Sequence, residues 1–180
     1  MVYLLLANGF EEVEAFTPVD LLRRCGAKVT TIGIGGKEII GARDIKVIAD
    51  ITDAQAELQD MDLLILPGGY PGYENLERSD FVQQAIDAAV EKNIPVAAIC
   101  AAPTLLGHKG LLKGKRATCY PGMEEGLVDA IVTTDAVCVD GNFITSRSAA
   151  TALEFSLVLV EQYCGTEAKN RLMQQIVCEG

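Results

Sequence analysis

A chain of 180 residues, 49% of them hydrophobic, carries enough apolar side chains for one sizeable core and too many for a disordered segment. Lys and Arg number 15 against 25 Asp and Glu, a formal net charge of −10. Such a field repels phosphate backbones and anionic lipid, which argues against nucleic acid or a membrane as partner.

Val2–Ala7 reads as a first buried strand, followed by a turn at Asn8-Gly9-Phe10. Residues 2–7 are too few for a signal-peptide core, lack a basic flank and run into Glu11-Glu12. No stretch approaches the ~20 apolar residues of a membrane span, so the expected compartment is the cytoplasm. Glu11–Cys25 has acids in its first turn and Arg23-Arg24 in its last, as a helix dipole prefers. Thr17-Pro18 is expected to kink or restart this helix, and Gly26 to end it in the left-handed position.

Lys28–Ile34 is a second strand, rich in β-branched residues, closed by Gly35-Gly36. Residues 38–40 and 45–49 form a small hairpin or edge excursion. Leu63–Leu66 is a continuous apolar strand running into Pro67-Gly68-Gly69-Tyr70-Pro71-Gly72. Ser79 or Asp80 caps a helix to about Lys92, with Phe81, Val82, Ala85, Ile86, Ala89 and Val90 on its apolar face. Val96–Ile99 is a short buried strand that meets Cys100 and then Ala101-Ala102-Pro103, where proline suits the first turn of a helix. Arg116–Tyr120 reads as a strand and 123–128 as a short helical turn. Residues 137–139 and 143–145 flank a hairpin signal at Asp140-Gly141-Asn142. Residues 149–164 form a long apolar helix closed by Gly165, and Thr166 caps a last helix. With no repeat or linker, this is one domain over 1–180. Strands alternating with helices imply an α/β sandwich around an open, mostly parallel sheet whose sites lie at the strands' carboxyl ends.

Cys100 sits where a strand breaks into a helix. That position holds a nucleophile out beside unpaired N–H groups and favours its thiolate; a buried structural cysteine is the other reading. The six cysteines, at 25, 100, 119, 138, 164 and 178, include no C-x-x-C pair, so neither a zinc nor a thioredoxin-like motif stands out. The single histidine, His108, falls about 12 Å farther along the same helix, out of reach of Cys100. Acids are the remaining partners. Glu11 and Glu12 suit a solvated helix start. Glu14 suits solvent too, but turned inward it would have its pKa raised and could pass a proton to sulfur. Gly68-Gly69, with the Ala101 N–H, can hold an oxyanion, or be a plain glycine turn. Tyr120 offers a phenolic donor or simple packing.

The blocks Glu11-Glu12-Val13-Glu14, Pro18-Val19-Asp20 with Arg23-Arg24-Cys25-Gly26, Leu66-Pro67-Gly68-Gly69, Ala98 to Pro103, Ala117 to Gly122, and Thr145-Ser146-Arg147 stand in order along nearly the whole chain. In them the chain resembles the ThiJ/PfpI superfamily, on the branch of the Parkinson-associated deglycase. The resemblance implies a flavodoxin-like sandwich and a homodimer with Arg24 and Arg43 at its interface. It makes Cys100 a nucleophile with a depressed pKa and easy oxidation to sulfinate. Glu14 becomes its protonated partner, Gly69 and Ala101 the oxyanion donors, and Gly68, Tyr120 and Arg147 the surrounding shell. Tyr120 stands where some relatives carry histidine, Ala102 replaces a frequent glycine, and Ser148-Ala149-Ala150 replaces Gly-Pro-Gly. Ala101 stands where the peptidase branch has histidine, which disfavours peptidase or amidase activity. The His-Glu pair of glutamine amidotransferases has no counterpart.

The expected function is therefore detoxification of reactive dicarbonyls such as methylglyoxal, free or as glycated protein side chains, with no cofactor and no metal. The rival is a non-enzymatic oxidative-stress sensor or chaperone acting through the Cys100 sulfinate. A flavin-binding module is a third reading, weakened by Asn8-Gly9-Phe10-Glu11-Glu12 in place of a phosphate loop.

Overall fold

The computed structural model describes residues 1–178; the last two positions of the domain read over 1–180 lie outside the described residues. Strand β1 (Val2–Leu6) leads to helix α1 (Glu12–Arg24), strand β2 (Val29–Gly33), hairpin strands β3 (Glu38–Ile40) and β4 (Lys46–Ile48), and a short strand β5 (Ile51–Thr52). Next come β6 (Leu63–Leu66), α2 (Gly72–Glu77), α3 (Asp80–Glu91), β7 (Val96–Ile99) and α4 (Pro103–His108). The chain closes with β8 (Arg116–Ala117), β9 (Ile131–Val132), β10 (Val137–Asp140), β11 (Phe143–Ser146), α5 (Ala152–Cys164) and α6 (Thr166–Gln175).

Seven strands form the central sheet in the order β10-β11-β7-β6-β1-β2-β5. All neighbours in it are parallel except β10 and β11, the predicted hairpin. This is the α/β flavodoxin-like architecture expected. Its central strands are apolar without alternation because both faces are covered. Along β1, Val2, Leu4 and Leu6 pack with α1 and α5 on one face, while Tyr3 and Leu5 pack with α3 and α4 on the other.

Helix α1 runs unbroken through Pro18 rather than restarting there. The Thr17 hydroxyl donates to the Val13 carbonyl at 2.7 Å, and the buried stripe Ala15, Val19 and Leu22 holds the helix to the core on both sides of the proline. Gly26 is left-handed, as expected, at φ +80°. The Ser79 cap is present, its Oγ accepting from the Val82 N–H at 3.4 Å, although Val90 turns outward.

Four local expectations change. Arg116–Tyr120 shortens to β8, which pairs with β9 in a separate two-stranded sheet. The Pro67–Gly72 loop runs straight into α2, a helix too short to show a periodicity. Residues 149–151 form a tighter 3₁₀ turn before α5. Gly165, at φ +90°, is the residue ahead of α6, so Thr166 is its first helical residue rather than its cap.

Candidate active site

Strands β1, β6 and β7 lie side by side in parallel, so the loops after Leu6, Leu66 and Ile99 share one edge of the sheet. Cys100 turns there with φ +65°, a left-handed conformation that costs a non-glycine residue ~1–3 kcal/mol. Both of its backbone groups are tied. Its N–H donates to the Ser146 carbonyl at 2.9 Å, and its carbonyl accepts from the Tyr120 N–H at 2.8 Å. The ends of β11 and of the 117–120 segment thus hold the bend in place.

Glu14 enters from the first turn of α1. Phe10, fully buried, meets Phe16 edge-on at 5.6 Å and anchors the start of the helix. The Glu11 N–H donates to the Gly68 carbonyl at 2.9 Å. Glu14 then lies inward, 1% exposed, with Oε2 accepting from the Gly68 N–H at 2.9 Å. Its carboxyl also shares a hydrogen bond with Cys100. Of its two pattern readings, the inward one holds. Gly68 is required at this meeting point, because a Cβ there would lie 2.7 Å from both Cys100 Cβ and Glu14 Oε2. Its N–H is therefore spent on Glu14. The donors directed at the sulfur are the backbone N–H groups of Ala101 and Gly69.

Burial pushes the Glu14 carboxyl up to about 7, against the bonds from Cys100 and Gly68. The expected depressed Cys100 pKa is not what this arrangement gives. Burial first, and the Glu14 carboxylate second, push the thiol up to about 12, while the Ala101 and Gly69 N–H groups pull the other way. Two acids in one buried space resist carrying two charges. Ionising one of the pair therefore opposes ionising the other.

Above the sulfur opens a pocket of about 330 Å³ lined by Glu11, Arg43, Gly69, Tyr70, Tyr73, Cys100, Ala101, Tyr120 and Met123. Tyr73 comes from α2, the helix missed in the sequence, so its place in the wall was not foreseen; its one trace there is the Tyr70/Tyr73 spacing after the glycines. Tyr120 is in the wall and 48% exposed. Arg43 lies in the turn between β3 and β4, and its guanidinium stands 3.3 Å from Glu11 Oε2. Its backbone N–H donates to Glu12 Oε1 at 2.8 Å. Glu12 is thus only 7% exposed, not solvated as expected, and its Oε2 is buried without a partner.

The other singled-out residues lie elsewhere. Arg24 pairs with Asp20 on its own helix at 2.8 Å. Arg147 donates to the Thr134 carbonyl at 3.3 Å and is not among the pocket's lining residues. His108 sits at the end of α4, where its Nδ1 meets Glu77 Oε1 at 2.5 Å. Among the described residues, no group of three or more His, Cys, Asp or Glu could hold a metal ion, and no helix is long and apolar enough to cross a membrane.

Comparison with known proteins agrees with this geometry. Residues 1–162 match the family model described as the DJ-1/PfpI family. Protein DJ-1 homolog B of Arabidopsis thaliana is 41% identical over 164 residues, which are 90% of this chain and 37% of that protein, so the chain spans little more than a third of its length. Deglycase PH1704 of Pyrococcus horikoshii is 34% identical over 154 residues, 83% of this chain and 90% of that one. The crystal structure of Drosophila melanogaster DJ-1beta superposes with a TM-score of 0.93 at 34% identity, covering 99% of this chain and 98% of the other. With its fold, its elbow cysteine and its matched length in accord, this chain belongs to the DJ-1/PfpI family.

Proposed function

We propose that this protein is a cysteine-dependent enzyme acting on reactive dicarbonyls, either free methylglyoxal or its early adducts on protein side chains. One observation carries the reading: the Cys100 sulfur faces a pocket while hydrogen-bonded to a buried carboxyl and receiving two backbone N–H groups. The relative named a deglycase supports the same substrate class.

Glu14 first takes the thiol proton, which leaves the negative charge on Cys100. The thiolate attacks the aldehyde carbon and forms a C–S bond. The carbonyl electron pair moves to oxygen, which the Gly69 and Ala101 N–H groups stabilise. Glu14 protonates that oxygen, giving a hemithioacetal, and then carries the C1 proton to C2 through an enediol. The product is a lactyl thioester. Water cleaves it to lactate and returns the thiol, so methylglyoxal and one water become lactate. The test is lactate production from methylglyoxal, with intact-mass trapping of the Cys100 adduct. Methylglyoxal loss without lactate, or adducts only on Lys and Arg, would defeat the reading.

The Glu14–Cys100 hydrogen bond also favours a second reading, a redox sensor in which the protonated acid holds a Cys100 sulfinate. Limited peroxide should then add two oxygens at Cys100 alone, and equal oxidation of all the cysteines would count against it.

A homodimer fits the exposed Val13, Ile45 and Ile48 beside the Arg43 turn and the unpartnered Glu12 oxygen. Sedimentation as a monomer at micromolar concentration would remove this part of the proposal.

A further inference from the structure

Five cysteines play no part in the chemistry above. Cys119 and Cys138 are buried. Cys25 and Cys164 are half-buried and stand in a definite relation to each other. Helices α1 and α5 each follow a strand of the parallel part of the sheet and pack on the same face, through Ala15, Val19 and Leu22 of one and Phe155, Leu159 and Val160 of the other. Both helices run back against their strands, so they end at the same side of the molecule. Cys25 is the residue that ends α1, and Cys164 is the last residue of α5. Both sulfurs pack on the one core cluster that the two helices share.

Cys25 is also reachable. It lines a small cleft of about 120 Å³ with Arg24 and Arg171. Burial lifts its pKa and the Arg171 guanidinium opposes that lift. Both helices have 13 residues, so Cys25 and Cys164 lie at the same level at their ends, and the Cys164 thiol is raised by burial and then by the charge of Cys25.

We propose that Cys25 and Cys164 form a second redox site, a dithiol that closes to an intramolecular disulfide and is independent of Cys100. The oxidant is a hydroperoxide. The Cys25 thiolate attacks the terminal peroxide oxygen, the O–O bond breaks, and an alcohol or water leaves with Cys25 as sulfenic acid. The Cys164 thiolate then attacks that sulfur, forms the S–S bond and expels hydroxide, which leaves as water. Two thiols are oxidised by two electrons and one peroxide is reduced. The bridge would tie the ends of α1 and α5 together at the side of the sheet away from the Cys100 pocket.

The experiment treats the native protein with an equivalent of hydrogen peroxide, blocks the remaining thiols with N-ethylmaleimide, and maps a non-reducing digest by mass spectrometry. A linked pair of peptides carrying Cys25 and Cys164, two fewer titratable thiols per chain and reversal by a thiol reductant are expected. The same link should form in Cys100→Ser, which keeps the inference separate from the proposed function. Cys25→Ala and Cys164→Ala should each abolish it. Full alkylation of both thiols after treatment, a link from Cys25 to Cys178, a link between chains, or a link seen only in urea would overturn the proposal. Should either alanine variant fail to fold, the wild-type peptide map decides alone.

Discussion

Helix α1 has a half-buried sulfur near each of its ends, and the two differ in what faces them. At its start, Glu14 reaches Cys100, which lies in a left-handed bend beside two aligned N–H groups. At its end, Cys25 closes the last turn at φ −84°, with helix carbonyls around its backbone and Arg171 near its sulfur. Their classes of exposure are the same. Exposure therefore does not separate the proposed nucleophile from the proposed dithiol partner. What separates them is their surroundings: two backbone N–H groups and the Glu14 carboxyl at Cys100, and the Arg171 guanidinium at Cys25.

The largest expected effect tests the first half of that contrast. Cys100→Ser should lower lactate formation from methylglyoxal by ~10⁴-fold or more, since a hydroxyl in this setting is a poor nucleophile. Cys25→Ser should leave the rate within about twofold, because distant sites act independently. Comparable losses in both variants would erase the distinction.

Next in size is the effect of pH on stability through Glu14. Its carboxyl rises from 4.5 to about 7 on folding. Between those values the folded protein keeps a proton that the unfolded chain has lost. The stability contributed by Glu14 is therefore full below pH 4.5, falls as pH rises toward 7, and levels off above, for a total of about 3 kcal/mol. Urea unfolding across this window should show that decline in the wild type, and Glu14→Gln should flatten it. Parallel curves for the two proteins would mean that Glu14 carries no such shift.

Gly68→Ala comes third. Its added methyl would meet Cys100 Cβ and Glu14 Oε2 at 2.7 Å, so about 1–3 kcal/mol of stability should be lost together with turnover. Thermal unfolding and kcat measure both. Smallest is His108→Ala. His108 is engaged with Glu77 rather than with Cys100, and the rate and its pH profile should stay within about twofold of wild type. A loss of several orders would reinstate a histidine mechanism.

Much of this fold was legible in one dimension. Leu63–Leu66 and Val96–Ile99 are strands with the very limits that their apolar runs define. They read clearly because a strand buried on both faces admits no polar interruption. The elbow read clearly because Cys100 lies between such a strand and a proline suited to the first helical turn. The hairpin at Gly141-Asn142 followed from its turn residues. By contrast, β5 and β8 have two residues each and α2 has six. None of them is long enough to carry a period, and tertiary packing sets them.

The acids of α1 show where local reading stops. Glu11, Glu12 and Glu14 look alike in a sequence, and the first turn of a helix attracts carboxylates whether or not they are buried. Only the approach of the Gly68 loop decides that Glu14 meets sulfur, and only the Arg43 turn decides that Glu12 leaves solvent.

The sequence by itself determined the layer order, the strand that ends at Cys100 and the identity of the sulfur to watch, because those rest on periodicity and on turn chemistry between near neighbours. The tertiary structure alone decided that the Glu14 carboxyl and the Cys100 thiol meet in one buried space. The raised pKa of each group depends on desolvation by segments far apart in the chain, and burial of that kind is a property of the packed molecule rather than of any stretch within it.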